Sequence, residues 1–202
     1  MNARNFDKLM QEQINSLNGK RRLLLHCCCA PCSSACLERL KDDFEITVLF
    51  YNPNIDGDEY EKRKSELIRL INKTGWAQFI DCDRENEKFY QTVRGLEAEK
   101  EGGKRCEVCF KLRLEKTAEL AEKHGFDYFT TTLTISPLKN AQLINAIGEA
   151  LAENLKADWL YSDFKKRSGY LRSLELSKEH DLYRQNYCGC VYSKQLNTNH
   201  TV

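Results

Sequence analysis

The sequence predicts an α/β fold, with a mostly parallel sheet flanked by helices and a helical, basic C-terminal segment. Three observations predict it. Short apolar or β-branched runs end in turn chemistry, stretches of helical periodicity separate them across residues 22–160, and the chain beyond 160 becomes a polar mixture of basic and aromatic residues. At 202 residues the chain is long enough for one well-buried core, so it reads as a single domain over 1–202, with an α/β core at 22–160 and a C-terminal segment at 161–202.

The elements follow in order. RRLLLHCC reads as a short buried strand, and SSACLERLKDD after Pro31 as a helix with Ser33 or Ser34 as its N-cap. FEITVLFYNPN is the second strand. NPNIDG is turn chemistry, after which Tyr60, Lys64, Leu67 and Ile71 recur at helical spacing until Gly75 caps the helix. WAQFIDCD is the third strand. Residues 84–105 are polar and end in KEGGKR, which reads as a helix followed by an exposed loop. From Phe110 the pattern is helical again, with Leu114, Ala118 and Ala121 on one face and a close at His124 and Gly125. FDYFTTTLTIS is the fourth strand, rich in aromatic and β-branched residues, and NAQLINAIGEALAENL is a further helix. In such a sheet ligands gather outside the carboxyl ends of the strands, which is where the first strand runs into cysteine.

Charge excludes little by itself, because 31 Lys and Arg face 30 Asp and Glu. The opening MNARNFDKLMQEQINSLNGKRR has no apolar leader core, and no run approaches the roughly 18 apolar residues of a membrane span. The expectation is a cytoplasmic protein with no membrane partner.

Ten cysteines are many for a reducing compartment, where metal binding or redox catalysis is a better explanation than structural disulfides. They fall in groups: Cys27, Cys28, Cys29, Cys32 and Cys36, then Cys106 and Cys109, then Cys188 and Cys190, with Cys82 alone. The two-residue spacing of Cys106 and Cys109 lets both thiolates reach one metal, and a loop-to-helix setting is expected to lower their pKa. Together with the CCC run they supply the four soft ligands of a [4Fe-4S] cluster or an all-cysteine zinc site. Adjacent cysteines point in different directions, which suits a cubane or two metals better than one tetrahedral ion. Cys188-Gly-Cys190 can close into a small ring that is easily reduced, or add two more metal ligands. His26 reads as a strand-end residue bonded to backbone, and Cys36 and Cys82 as structural.

In the C-terminal segment Lys165, Lys166, Arg167, Arg172, Lys178 and Arg184 are interleaved with Tyr161, Phe164, Tyr170, Tyr183 and Tyr187. Such a mixture can hold phosphates and stack an unpaired base, although Glu175, Glu179 and Asp181 dilute it. Asp158, Tyr161 and Asp163 are candidate proton donors or orienting groups.

Five separated motifs resemble one family: LLLHCCCAPC at 23–32, YNPNI at 51–55, RCEVCFKLRLEKTA at 105–118, TTTLTISPLKN at 130–140 and DFKKRSGYLRSLELSKEHDLYRQNYCGCVYS at 163–193. The chain resembles the QueH-type epoxyqueuosine reductases. The resemblance implies a [4Fe-4S] enzyme that removes the epoxide oxygen of epoxyqueuosine at the wobble position of tRNA, completing queuosine biosynthesis, with an electron donor still to be identified. Carried onto this chain, it places the cluster on Cys28, Cys29, Cys106 and Cys109 and the redox-active pair on Cys188 and Cys190. Cys27 and Cys32 are extra sulfurs, either of which could replace a neighbouring ligand or help hold an additional iron.

Two rivals remain. A PP-loop-type tRNA thiolation enzyme shares the Rossmann-like strand order and the CxxC, but needs a Gly/Ser-rich loop to cradle phosphate, and CCCAPCSS has no glycine. A non-enzymatic zinc-stabilised RNA-binding module would be colourless and would unfold with chelator, and gives the CGC no purpose.

Overall fold

The first buried strand, β1 (Arg21–His26), carries Leu23, Leu24 and Leu25, all without solvent exposure. A strand covered on both faces is apolar throughout, and burial of each leucine contributes about 2 kcal/mol. The two faces separate cleanly. Leu23, Leu25 and Cys27 join one core with Met10, Leu37, Leu40 and Ile46, whereas Leu24 joins the other with Phe110, Leu114, Phe129 and Trp159. This computed structural model describes residues 4–198, so the last four residues of the 161–202 segment lie outside the described residues.

Around β1 the sheet has five parallel strands in the order β3-β2-β1-β4-β5, with β2 at Phe44–Leu49, β3 at Gln78–Ile80, β4 at Tyr128–Thr131 and β5 at Asp158–Trp159. The α/β class and the Rossmann-like strand order agree with expectation. The order reverses between β1 and β4, and the crevice at their carboxyl ends is the place where this topology opens a ligand site. The helices are α1 (Phe6–Asn15), α2 (Ala30–Leu40), α3 (Gly57–Thr74), α4 (Asn86–Thr92), α5 (Lys104–Lys123), α6 (Ala141–Ala152), α7 (Gly169–Glu179) and α8 (Val191–Thr198). None is long and apolar enough to cross a membrane.

Three local expectations change. Helix α2 begins before Ser33 and Ser34, with Cys29 as its N-cap and Pro31 in its first turn. Proline has no N–H to lose there, so the helix can start around it. Both serine hydroxyls instead donate backwards, to the carbonyls of Cys29 (2.7 Å) and Pro31 (2.9 Å). Helix α5 begins at Lys104 rather than near Phe110, which puts Cys106 and Cys109 on its first two turns. Helix α1 and the two-residue β5 were not expected.

The C-terminal segment wraps back over the core. Arg172 on α7 makes a paired contact with Glu38 on α2, Nε to Oε2 at 2.8 Å and Nη2 to Oε1 at 2.7 Å. Arg167 and Arg39 both bond Asp7 of α1, and Lys165 pairs with Asp163 at 2.7 Å. Much of the basic character read as a nucleic-acid surface is therefore spent in intramolecular ion pairs. Lys166 and Lys178 remain exposed.

Candidate metal and redox site

The strand-end alternation decides what each cysteine of the CCC run does. Cys27 turns into the core behind β1, and Cys36 joins it there. Cys28 turns to the opposite face, and Cys29 caps α2. The sulfurs of Cys28, Cys29 and Cys32 lie within 4.8 Å of one another, close enough to hold a metal ion. Cys82 packs against the second core and is not one of this group of three.

His26 fixes the strand end. Its Nε2 lies 3.0 Å from the carbonyl of Tyr51, which can only accept, so the proton sits on Nε2 and Nδ1 accepts from the Thr131 hydroxyl at 2.8 Å. Burial, followed by the charge of Arg113, lowers its pKa to about 4, so the ring is neutral. The Asn52 amide donates to the Cys27 carbonyl at 2.8 Å, tying the β2 end to the same turn.

A second sulfur group forms across three segments. Cys106 and Cys109 on α5 line one small cavity together with Cys188, Cys190, Asn54, Arg105 and Arg113. The Gly102 N–H donates to Cys106 Sγ at 3.2 Å. The CGC is positioned by its backbone: Arg63 on α3 donates from Nη1 to the Cys188 carbonyl at 3.0 Å and from Nη2 to the Tyr187 carbonyl at 3.3 Å, and is itself held by Glu59 at 2.5 Å. Gly189 sits at φ +112°, and a Cβ there would lie 2.9 Å from both Arg63 Nη1 and Ile55 Cγ1. Only glycine fits. Ser193 Oγ accepts from the Cys188 N–H at 3.2 Å and donates to Glu101 at 3.1 Å. All ten cysteines are free thiols.

The electrostatics sort these thiols. The Cys190 thiol donates to Cys188 and brings its pKa down to about 5 against burial, with Lys139 and Arg113 assisting. The same contact and burial push Cys190 up. Cys28 is held well below the ordinary thiol range by the Cys29 and Cys32 thiols, again with Lys139 and Arg113 nearby. Cys29 is pushed up to about 12 by Cys28. Burial raises Cys106, and raises Cys109 to about 11, so the lowering expected from the helix terminus does not occur. Burial outweighs the partial charge of the helix end.

The family model for epoxyqueuosine reductase QueH matches residues 23–196, which spans the strand, both sulfur groups and the C-terminal segment. The chain belongs to this family. It is 45% identical to the epoxyqueuosine reductase QueH of Streptococcus pyogenes over 201 residues, 95% of this chain and 79% of that relative. It is 44% identical to the Haemophilus influenzae protein of that name over 188 residues, 91% of this chain and 76% of the relative, and 38% identical to that of Thermotoga maritima over 176 residues, 85% and 89%.

Within this QueH frame, the structure gathers Cys28 and Cys29 with Cys32 rather than with Cys106 and Cys109 in its tightest sulfur group, and places the CxxC beside the CGC. Arg113 lies within electrostatic reach of Cys28, Cys106, Cys109 and Cys188 and so joins the two groups. The three suggested proton donors are occupied elsewhere. Asp158 opens β5 at the amino end of the sheet, the Tyr161 hydroxyl donates to Glu149 at 2.5 Å, and Asp163 pairs with Lys165. Sequence reading missed Arg63, Arg105, Arg113, Asn54 and Lys139. The available signal was an arginine in apolar company, as in Leu112-Arg113-Leu114.

Proposed function

We propose that this chain reduces epoxyqueuosine to queuosine in tRNA, with Cys28, Cys29, Cys106 and Cys109 holding a [4Fe-4S] cluster and Cys188 and Cys190 serving as a redox pair. The observation that supports this reading is the convergence of CxxC and CGC on one small cavity, with Cys28 brought into reach of the same cations, Arg113 and Lys139. The residues fit the group. The donors are soft sulfur, Cys32 is at hand as a further ligand for an additional iron, and buried N–H groups of Asn54, Arg105 and Arg113 are left without partners around them. When bound, the cluster supplies single electrons and a Lewis-acidic iron.

The chain's own contribution is the electron pair. Deoxygenating an epoxide to an alkene consumes two electrons and two protons and releases water. Oxidation of the Cys188 and Cys190 dithiol to a disulfide releases two electrons and two protons, which balances the reaction. An external donor must then reduce the disulfide, which suits a cytoplasmic setting. The Cys188 thiolate is the more reactive sulfur, and Arg63 holds its backbone throughout. The core at 22–160 supplies the sulfur crevice and the 161–202 segment carries the pair over it, with Lys166 and Lys178 free to meet phosphate.

Iron and acid-labile sulfide content, with a visible spectrum, on protein purified without oxygen tests the cofactor. About four of each per chain with a brown chromophore is expected. Reduction of epoxyqueuosine in tRNA under a strong reductant tests the reaction. Cys188→Ser is expected to abolish multiple turnover with the natural donor. Zinc without sulfide after full reconstitution would overturn the redox reading.

A further inference from the structure

Arg113 is a buried cation of this site with no carboxylate partner and one donor left open. Its side chain is 1% exposed, Nε donates to the Cys109 carbonyl one turn back at 3.2 Å, and Nη2 has no hydrogen-bond partner. Arg63, equally buried, has Glu59, and Arg105 has three carbonyls from residues 96, 97 and 99. Among the described residues no carboxylate pairs with Arg113. A guanidinium removed from water costs several kcal/mol unless negative charge is close. The groups acting most strongly on it are Cys109, Cys188, Cys28 and Cys106.

Asn54 reinforces the point. It is 2% exposed, and both its amide nitrogen and its amide oxygen are unsatisfied beside the same cavity. Buried donors left open in this way call for an acceptor, and the material around them is sulfur. Lys139 also faces Cys188, Cys28 and Cys32 and is largely buried, but it keeps some exposure to water that Arg113 lacks. The Phe110 ring, centred 5.6 Å from the Arg113 guanidinium carbon, packs against the guanidinium.

We propose that Arg113 is the counter-cation of the sulfur site, donating Nη2–H to reduced sulfur beside Asn54 and thereby setting how readily the site accepts electrons. For the cluster this rests on the function proposed above; for the Cys188 and Cys190 pair it does not. Arg113 acts through sulfur and is a positioning residue. Positive charge and N–H to sulfur bonds favour the more negative, reduced state, so their removal makes reduction harder. The same holds for the pair, whose thiolate loses its cation.

The test uses Arg113→Met, which removes charge and donors, Arg113→Lys, which keeps the charge, and Lys111→Met as a control that removes an exposed cation from the same helix. Two readouts are taken: the cluster midpoint by reductive titration followed by electron paramagnetic resonance, and the thiol–disulfide equilibrium of Cys188 and Cys190 against glutathione in metal-free protein. Arg113→Met is expected to shift both equilibria about tenfold toward the oxidised form, which is about 59 mV lower for a one-electron couple. Arg113→Lys should recover most of the shift, and Lys111→Met should match the parent. An unchanged midpoint in Arg113→Met at full iron and sulfide content would overturn the proposal. If that variant does not retain iron, the glutathione equilibrium decides, and an unchanged value refutes it. If it does not fold, Asn54→Leu is used, with a shift of about threefold expected in the same direction and no shift counting against the proposal. A parent protein without iron or sulfide would defeat the cluster reading alone and leave the glutathione test standing.

Discussion

Gly189→Ala is the sharpest probe of how the CGC is held. At φ +112° the backbone lies where L-residues are rarely found, and holding alanine there costs about 1–3 kcal/mol. The new Cβ would also lie 2.9 Å from Arg63 Nη1. That nitrogen cannot simply move aside, because Arg63 is 1% exposed and bonded to Glu59 and to the Cys188 and Tyr187 carbonyls. Losing one charged hydrogen bond adds about 1.5–3 kcal/mol. The expected total is about 4 kcal/mol, read by urea unfolding, with a Tm lower by about 8–16 °C for a chain of this size. In an Arg63→Met background the clash with the guanidinium is gone, and Gly189→Ala should cost the backbone strain and the remaining close contact with Ile55 Cγ1, and no longer the lost hydrogen bond. A loss below about 0.5 kcal/mol in the parent background, or the same cost in both backgrounds, would refute the clamp.

Other outcomes follow from the same geometry. In metal-free protein the alkylation rate of Cys188 should rise through a midpoint near pH 5 and be flat at neutral pH, whereas Cys109, at about 11, should react only in base; mass spectrometry after pulsed iodoacetamide distinguishes them. His26 is neutral in the fold to about pH 4 but takes up a proton near 6.5 when unfolded, so it stabilises the fold above pH 6.5 and that contribution is lost as pH falls toward 4. The loss is about 3 kcal/mol, and denaturant unfolding of His26→Gln should lack this slope. Gly148→Ala would drive a methyl into the Trp159 ring, whose Nε1 donates to Asn145, and should cost about 1–3 kcal/mol with a change in tryptophan fluorescence.

Much of the fold was legible because its signals are local. The leucine triplet of β1 and the left-handed glycines Gly75 and Gly125 mark a strand and two helix ends without tertiary help. Strand β5 is different: two residues carry no periodicity, and Asp158–Trp159 is a strand only because Tyr128 and Phe129 lie alongside. Helix α1 buries little beyond Phe6 and Met10, too few to mark a stripe. At the site, the cysteines could be read from spacing, whereas the arginines could not. Arg63 looks like one charge on a polar helix until the chain 125 residues away lays the Cys188 carbonyl against it.

The way the CGC is anchored bears directly on its use. Every contact that positions it engages backbone or a neighbour: Arg63 bonds the carbonyls of Tyr187 and Cys188, and Ser193 takes the Cys188 N–H. The Cys188 sulfur takes no part in these backbone hydrogen bonds, while Cys190 packs with Phe89, Val93, Cys109 and Leu112. The alternation between dithiol and disulfide proposed for this pair can proceed without releasing the backbone anchor, provided the residue between them has no side chain to obstruct Arg63. The CCC run has the complementary design. There the pleat of β1 commits Cys27 to the core and turns Cys28 to the other face, so one strand end supplies both a structural thiol and the thiol proposed as a ligand from adjacent positions.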